Sequence, residues 1–215
     1  TSDGFTIGTS TNQVNQDGIT HVAWCWKAGS SDTAVSASGT GDGAINACTH
    51  RANTTSLFSI IEYTGRNDQI SNNEHTKITH GLGTKPDFLI IKDLDGAQNW
   101  CVTTGTDNDG HYRLDTNAAL DTSLFTGNQN NSDTTHFLVG NETMVNYSIR
   151  DFVAYAWTSV QGFSKFGTYE GNGNANGPFI YTGFKPAFVI LKEATTTSQW
   201  YIFDNKMNPH NEMVN

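Results

Sequence analysis

One block of this chain occurs twice, and that repeat limits the possible folds more than any other feature. Thr84-Lys85-Pro86-Asp87-Phe88-Leu89-Ile90-Ile91-Lys92 returns as Phe184-Lys185-Pro186-Ala187-Phe188-Val189-Ile190-Leu191-Lys192. Gly83 matches Gly183 and Trp100 matches Trp200, so the offset is constant across the block. Upstream, Phe58, Tyr63 and Gly65 match Phe163, Tyr169 and Gly171 after one inserted residue. A second pair lies elsewhere. Phe5, Ile7, Gly8, Val14 and Asn15 match Phe137, Val139, Gly140, Val145 and Asn146, and Val22-Ala23-Trp24-Cys25-Trp26 matches Val153-Ala154-Tyr155-Ala156-Trp157. Self-similarity of this kind marks a structural unit used more than once.

The repeat divides the chain. Residues 57–160 read as one complete β-sandwich unit of normal domain size. Residues 1–30 read as the C-terminal part of a preceding unit, 31–56 as a Gly/Ser/Thr-rich connecting loop, and 161–215 as the N-terminal part of a following, related unit. Both ends read as cuts through a longer polypeptide. Each partial unit lacks half its core, so flanking sequence or another chain is expected to supply the rest. Otherwise apolar residues such as Phe188, Ile190 and Trp200 stay in water at roughly 1.5–3 kcal/mol each.

The local pattern is that of strands. Thr20–Lys27 alternates in period two, Leu57–Thr64 and Gly162–Tyr169 are apolar stretches bounded by Gly, and Pro86 and Pro186 each precede a short apolar run, as Pro does at a strand start. Further strands are expected near 100–103, 123–126, 135–140, 151–158 and 200–203. No window carries a helical stripe, and Leu114–Thr122 has at most one or two turns. Thr, Asn, Ser and Gly make up about 40% of the chain, a mix that favours strands and turns over helix. The expected class is all-β: tandem antiparallel sandwich units of jelly-roll or concanavalin-like form.

Composition removes several function classes. No run of about 18 apolar residues is present to span a membrane as a helix. The net charge is -9 with no basic block, which repels phosphate and disfavours nucleic acid. The chain shows no charged segment followed by an apolar stretch, so no signal peptide is read. Three scattered cysteines (Cys25, Cys48, Cys101) make no disulfide framework and read as reduced residues.

Several motifs resemble those of tailed-bacteriophage tail proteins of marine and cyanobacterial type. Gly4-Phe5-Thr6-Ile7-Gly8 with His21-Val22-Ala23-Trp24-Cys25-Trp26-Lys27-Ala28-Gly29 resembles the family's "DGF-x-hydrophobic-G … YVAWxWKAG" signature. Phe58–Gly65 with His80-Gly81-Leu82-Gly83-Thr84-Lys85-Pro86 resembles its "GFSIVxYTGN … HGLGxxP" block. Gly162–Tyr169 with Gly177–Ala187 resembles its closing "GFSKFGSYTGN … FVYTGFRPA" block. Leu57 stands where the family has Gly, and Lys185 where it has Arg. The resemblance implies a virion structural protein of a tail fibre or tailspike, trimeric, made in the host cytoplasm and extracellular after release, with other tail proteins as partners. It implies no catalytic residues and no cofactor.

The residues themselves carry little chemistry. His80-Gly81-Leu82-Gly83 reads as turn geometry, because the second copy has Ile180-Tyr181-Thr182 at the equivalent place. Asp107-Asn108-Asp109-Gly110-His111 lacks the sixth-position Gly and twelfth-position Glu of a calcium loop and reads as a turn, as does Asp93-Leu94-Asp95-Gly96. No metal-ligand spacing is present. Glu62 and Glu170 are the best pair for a glycosidase, yet they sit at equivalent strand ends, as solvated residues would. The five tryptophans read as core or inter-strand packing, because they recur between blocks and lie in strands of alternating pattern. Recognition is then expected on the non-repeated loops, with Asp68, Asn72, Asp107, Asp109, His111, Tyr112 and Asn130 as candidate binding residues. Three roles follow: a fibre segment contributing to host-surface attachment, a carbohydrate-binding module of an adhesin, or a capsid decoration or head-fibre protein.

Overall fold

The structure is a computed structural model that describes residues 4–8, 14–105, 110–123, 127 and 129–206. It is an antiparallel all-β protein. The strands in chain order are β1 (Thr33–Val35), β2 (Cys48–Asn53), β3 (Phe58–Thr64), β4 (His75–Thr79), β5 (Phe88–Asp93), β6 (Cys101–Thr104), β7 (Tyr112–Arg113), β8 (His136–Gly140), β9 (Asp151–Trp157), β10 (Phe188–Lys192) and β11 (Trp200–Asp204). A one-turn helix, α1 (Thr143–Asn146), follows β8. Leu114–Thr122 contains no helix.

Seven strands form the central sheet in the order β1-β2-β3-β9-β5-β6-β7. The register sorts the side chains into rows. On the inner face Cys48, Tyr63 and Phe152 share one row, His50, Ile61, Ala154, Ile91 and Cys101 the next, and Ala52, Ser59, Ala156, Leu89 and Thr103 a third. The antiparallel pair β4–β8 covers this face and brings Ile78, Phe137 and Val139 into full burial. Ala154 and Ala156 in the middle leave room for those larger side chains. Tyr63 stacks on Phe152 at 5.2 Å and meets the edge of Phe137 at 6.2 Å. Its hydroxyl donates to the carbonyl of Val145 in α1.

Asn146 locks α1 to the sheet. Its amide nitrogen donates to Gly140 O at 3.1 Å and Thr76 Oγ1 at 3.2 Å. Its side-chain oxygen accepts from Arg66 N at 2.9 Å and Asn46 Nδ2 at 3.1 Å. Burying an amide this fully is tolerable only when such bonds are made. Gly65 sits where the chain crosses this junction, and a Cβ there would lie 2.2 Å from Tyr147 O. That close approach requires glycine at position 65.

The segment 31–56, expected as a connecting loop, contributes β1 and β2 to the central sheet. β2 pairs with β3 along its whole length, from Cys48 opposite Tyr63 to Asn53 opposite Phe58. Ala44, Asn46 and Cys48 are buried, and Asn46 N donates to Lys77 O of β4. The strand forms because β3 offers it an edge, not because its own residues alternate. Thr20–Lys27 and Gly162–Tyr169, expected as strands, lie in none. The strand expected near 123–126 falls largely outside the described residues.

The repeat is visible in three dimensions. β5 and β6 pair with Phe88 opposite Thr104 and Ile90 opposite Val102. β10 and β11 pair with Phe188 opposite Asp204 and Ile190 opposite Ile202. The register is the same at an offset of 100. Gly83 and Gly183 both take positive φ, 74° and 85°, a conformation open to glycine without strain. Of the cysteines, Cys48 and Cys101 are buried thiols and Cys25 is exposed.

Candidate functional site

The other face of the central sheet is also apolar. Phe58, Trp157 and Phe88 form one row across β3, β9 and β5, and Ile60, Tyr155, Ile90, Val102 and Tyr112 form the next. Trp157 is the hub. Phe58 stacks on it at 4.9 Å, and Phe88, Trp26 and Tyr155 lie 5.6, 6.1 and 6.2 Å away. Strands buried on both faces read as continuous apolar runs. Phe88–Ile91 and Val153–Trp157 are such runs, so this second face was legible in the pattern.

Two segments cover part of it. Trp24 and Trp26 lie against Phe188 of β10 at 5.8 and 5.9 Å, and Trp24 Nε1 donates to Asp204 Oδ2 of β11 at 2.9 Å. At the far end Trp200 meets the edge of Tyr112 at 6.1 Å, and its Nε1 donates to Arg113 O at 2.9 Å. The β10–β11 turn is tied down by Leu120 N to Ala194 O at 3.0 Å and Ser198 N to Asn117 O at 2.9 Å.

Between these covers an open groove of about 320 Å³ remains, floored by Ile60, Ile90 and Tyr155 and walled by Trp26, Trp100 and Trp157. Its lining carries no carboxylate, imidazole or amine. It is a surface for stacking and apolar packing, not for proton transfer. Beside it runs a polar seam lined by Asp115, Thr116, Asn117, Gln199 and Trp200. Asp115 accepts there from Asn99 Nδ2 at 3.2 Å and Trp100 N at 3.3 Å. Among the described residues, no group of three His, Cys, Asp or Glu side chains is placed to hold a metal ion.

Of the tryptophans expected in core or inter-strand packing, Trp157 packs between strands, on Phe58 of β3 and Phe88 of β5, but none is fully buried. Trp24 and Trp26 are 40% and 48% exposed, and Trp100, Trp157 and Trp200 are half-buried.

The loop residues expected to bind are dispersed. Asp68 lies in the short turn Asn67–Gln69 and accepts from Ser148 Oγ. Asn72 accepts from Asn141 Nδ2 at 3.3 Å. Asn130 is exposed, and its carbonyl accepts from Lys85 Nζ at 3.0 Å. His111 and Tyr112 are buried, contrary to a surface-loop reading. The cause is local: His111 bridges backbone to backbone with Asp121, and Tyr112 pairs with Val102. Burial lowers the His111 pKa. Asp121 is held down to about 2 by its bonds from Ser123, with Arg113 Nη2 also donating at 2.8 Å. Asp107 and Asp109 lie outside the described residues.

Among the repeat positions Phe58 and Tyr63 are buried, Phe88, Trp100, Phe188 and Trp200 are half-buried, and Phe163 and Tyr169 are exposed. Pro86 and Pro186 precede β5 and β10 by two residues. Gly171 has open space around it, so no crowding requires glycine there.

Compared with known proteins, the chain matches no curated protein and no solved structure. One family model covers it from residue 1 to 215, and its description is Domain of unknown function (DUF7483). An all-β chain with a repeated hairpin and a two-faced apolar sheet thus belongs, over its whole length, to the DUF7483 family.

Proposed function

We propose that this chain is a structural module of a virion attachment device, a segment of a phage tail fibre or tailspike. It works by rigid display and self-association and contributes to contact with the host surface. The observation that carries this reading is the half-covered outer face. Elsewhere on the chain large apolar side chains such as Phe163, Phe179 and Tyr181 are exposed as well. Contiguous apolar surface of this kind marks an interaction site. The tail-protein motifs quoted above support the same reading, with three chains burying the open faces about one axis.

Sedimentation equilibrium of the chain tests it. A species of three times 23.5 kDa that persists on dilution is the expected result. A monomer across the accessible concentration range overturns the trimeric module.

A second reading is a carbohydrate-binding module. It is favoured by the seam in which Asp115, Asn117 and Gln199 stand beside Trp200, since an aromatic face with flanking amides and a carboxylate suits a sugar ring. A glycan array read with Trp200→Ala as control decides it: signal lost in the variant supports a module, and no signal from the folded parent removes it.

A further inference from the structure

The two partial units read in the sequence are complementary in content. Residues 4–27 match β8 through β9, and residues 162–204 match β3, β5 and β6. Together they hold counterparts of β3, β5, β6, β8 and β9. The order is circularly permuted, with the end of the unit first and its beginning last. Local geometry repeats as well. Asn146 Nδ2 donates to Gly140 O at 3.1 Å, and its counterpart Asn15 Nδ2 donates to Gly8 O at 3.0 Å. Lys92 Nζ donates to Asp93 O at 3.0 Å, and Lys192 Nζ to Glu193 O at 2.8 Å. Gly105 N bonds Asp87 O at 2.8 Å, and Asn205 N bonds Ala187 O at 3.0 Å.

In the inner unit β9 lies along β5, with Trp157 opposite Phe88. Their counterparts Trp26 and Phe188 already touch, at 5.9 Å against 5.6 Å for the original pair. Yet among the described residues β10 pairs only with β11. A two-stranded hairpin is marginal on its own, and an unpaired edge is a template for another strand. The segment whose sequence matches β9 is the one resting against that hairpin.

We propose that the free edge of β10 is the docking surface for residues 22–26 of the same chain, in the register that β9 takes on β5. Trp26 then stands opposite Phe188, Cys25 opposite Val189 and Trp24 opposite Ile190. The two ends of the chain thereby clasp into a second sheet. Its aromatic face packs on that of the first, so that Trp26 meets its own counterpart Trp157, as it does at 6.1 Å. The partner comes from the same chain because Trp24 and Trp26 are already seated on β10 and β11 in cis. This assignment is independent of the virion reading.

The test uses the natural exposed thiol. Directly opposed Cα atoms of an antiparallel pair are about 4.5–5.5 Å apart, inside the span of a disulfide. Positions two residues along lie roughly 7–8 Å away. Val189→Cys in the full chain is treated with diamide, which takes two electrons and two protons from the thiol pair and becomes the hydrazine. The expected product is an intramolecular disulfide between Cys25 and the thiol introduced at position 189. It should form at least about tenfold faster than the corresponding product of Leu191→Cys. Equal rates for the two variants, no bond in Val189→Cys, or a covalent dimer overturns the proposal. Amide exchange in the unmodified protein is the second measurement. Protection of the 22–26 amides to the level of β10 supports the clasp, and exchange at the rate of free peptide overturns it.

Discussion

Burial of His80 couples the stability of the fold to pH. Its Nδ1 accepts from Leu82 N at 3.1 Å, and Nε2, 3.2 Å from Asp133 O, donates in the matching neutral tautomer. A second ring proton would point at the Leu82 N–H. Burial lowers the pKa from 6.5 to about 4. The unfolded chain therefore binds the proton first as pH falls, so stability is full above pH 6.5 and is lost as pH drops towards 4. The loss amounts to about 3 kcal/mol for this residue. His50 and His111 are lowered by burial and act in the same sense. Urea midpoints measured at pH 7.5 and 4.5 should show the drop, and His80→Asn should flatten it; an unchanged slope in the variant assigns the effect elsewhere. Ile149 supplies a second single-residue prediction. It is 88% exposed and holds φ at 59°, a conformation costly for a β-branched side chain. Ile149→Gly keeps the backbone bond to Gly65 O at 3.1 Å and should stabilise the protein by about 1 kcal/mol against urea.

At the scale of elements, the outer aromatic face has a hub and a rim. Trp157 touches rings on four sides, so Trp157→Ala should cost about 3–4 kcal/mol. Trp26, half in water, should cost about 1 kcal/mol when truncated. Thermal melts of the two variants check the order, and equal losses would mean that the rim is as well packed as the hub. The same elements show what the sequence made legible. The β5–β6 and β10–β11 hairpins were readable because each joins a Pro, an apolar run and a polar turn, and because each is written twice. β2 was not, since Cys48-Thr49-His50-Arg51-Ala52-Asn53 has weak strand character and is recruited by its neighbour. Trp24 and Trp26 misled for a related reason: alternation identifies a face but not whether anything covers it. His111 and Tyr112 sit in a stretch rich in turn formers, and only the bridge to Asp121 reveals that they are interior.

Across the whole molecule, the inner unit and the outer hairpin differ in how firmly they are held. β3, β5 and β9 lie between two layers, whereas β10 is only half-buried along its length and Tyr201, Ile202 and Phe203 of β11 are exposed. Native-state hydrogen exchange should resolve two cooperative units, with β3, β5 and β9 slowest and β10–β11 exchanging earlier as one group. A single common rate would show instead that the chain opens as one body. The three thiols are spread across the same hierarchy. Cys48 and Cys101 are sealed in the inner core, and burial raises the Cys48 pKa and pushes that of Cys101 to about 12. The thiolate is the reactive form, so a maleimide meets one open thiol in the native state and three after global unfolding. The mass added in a timed pulse therefore counts opened molecules one by one, and the chain carries its own gauge of integrity inside any larger assembly.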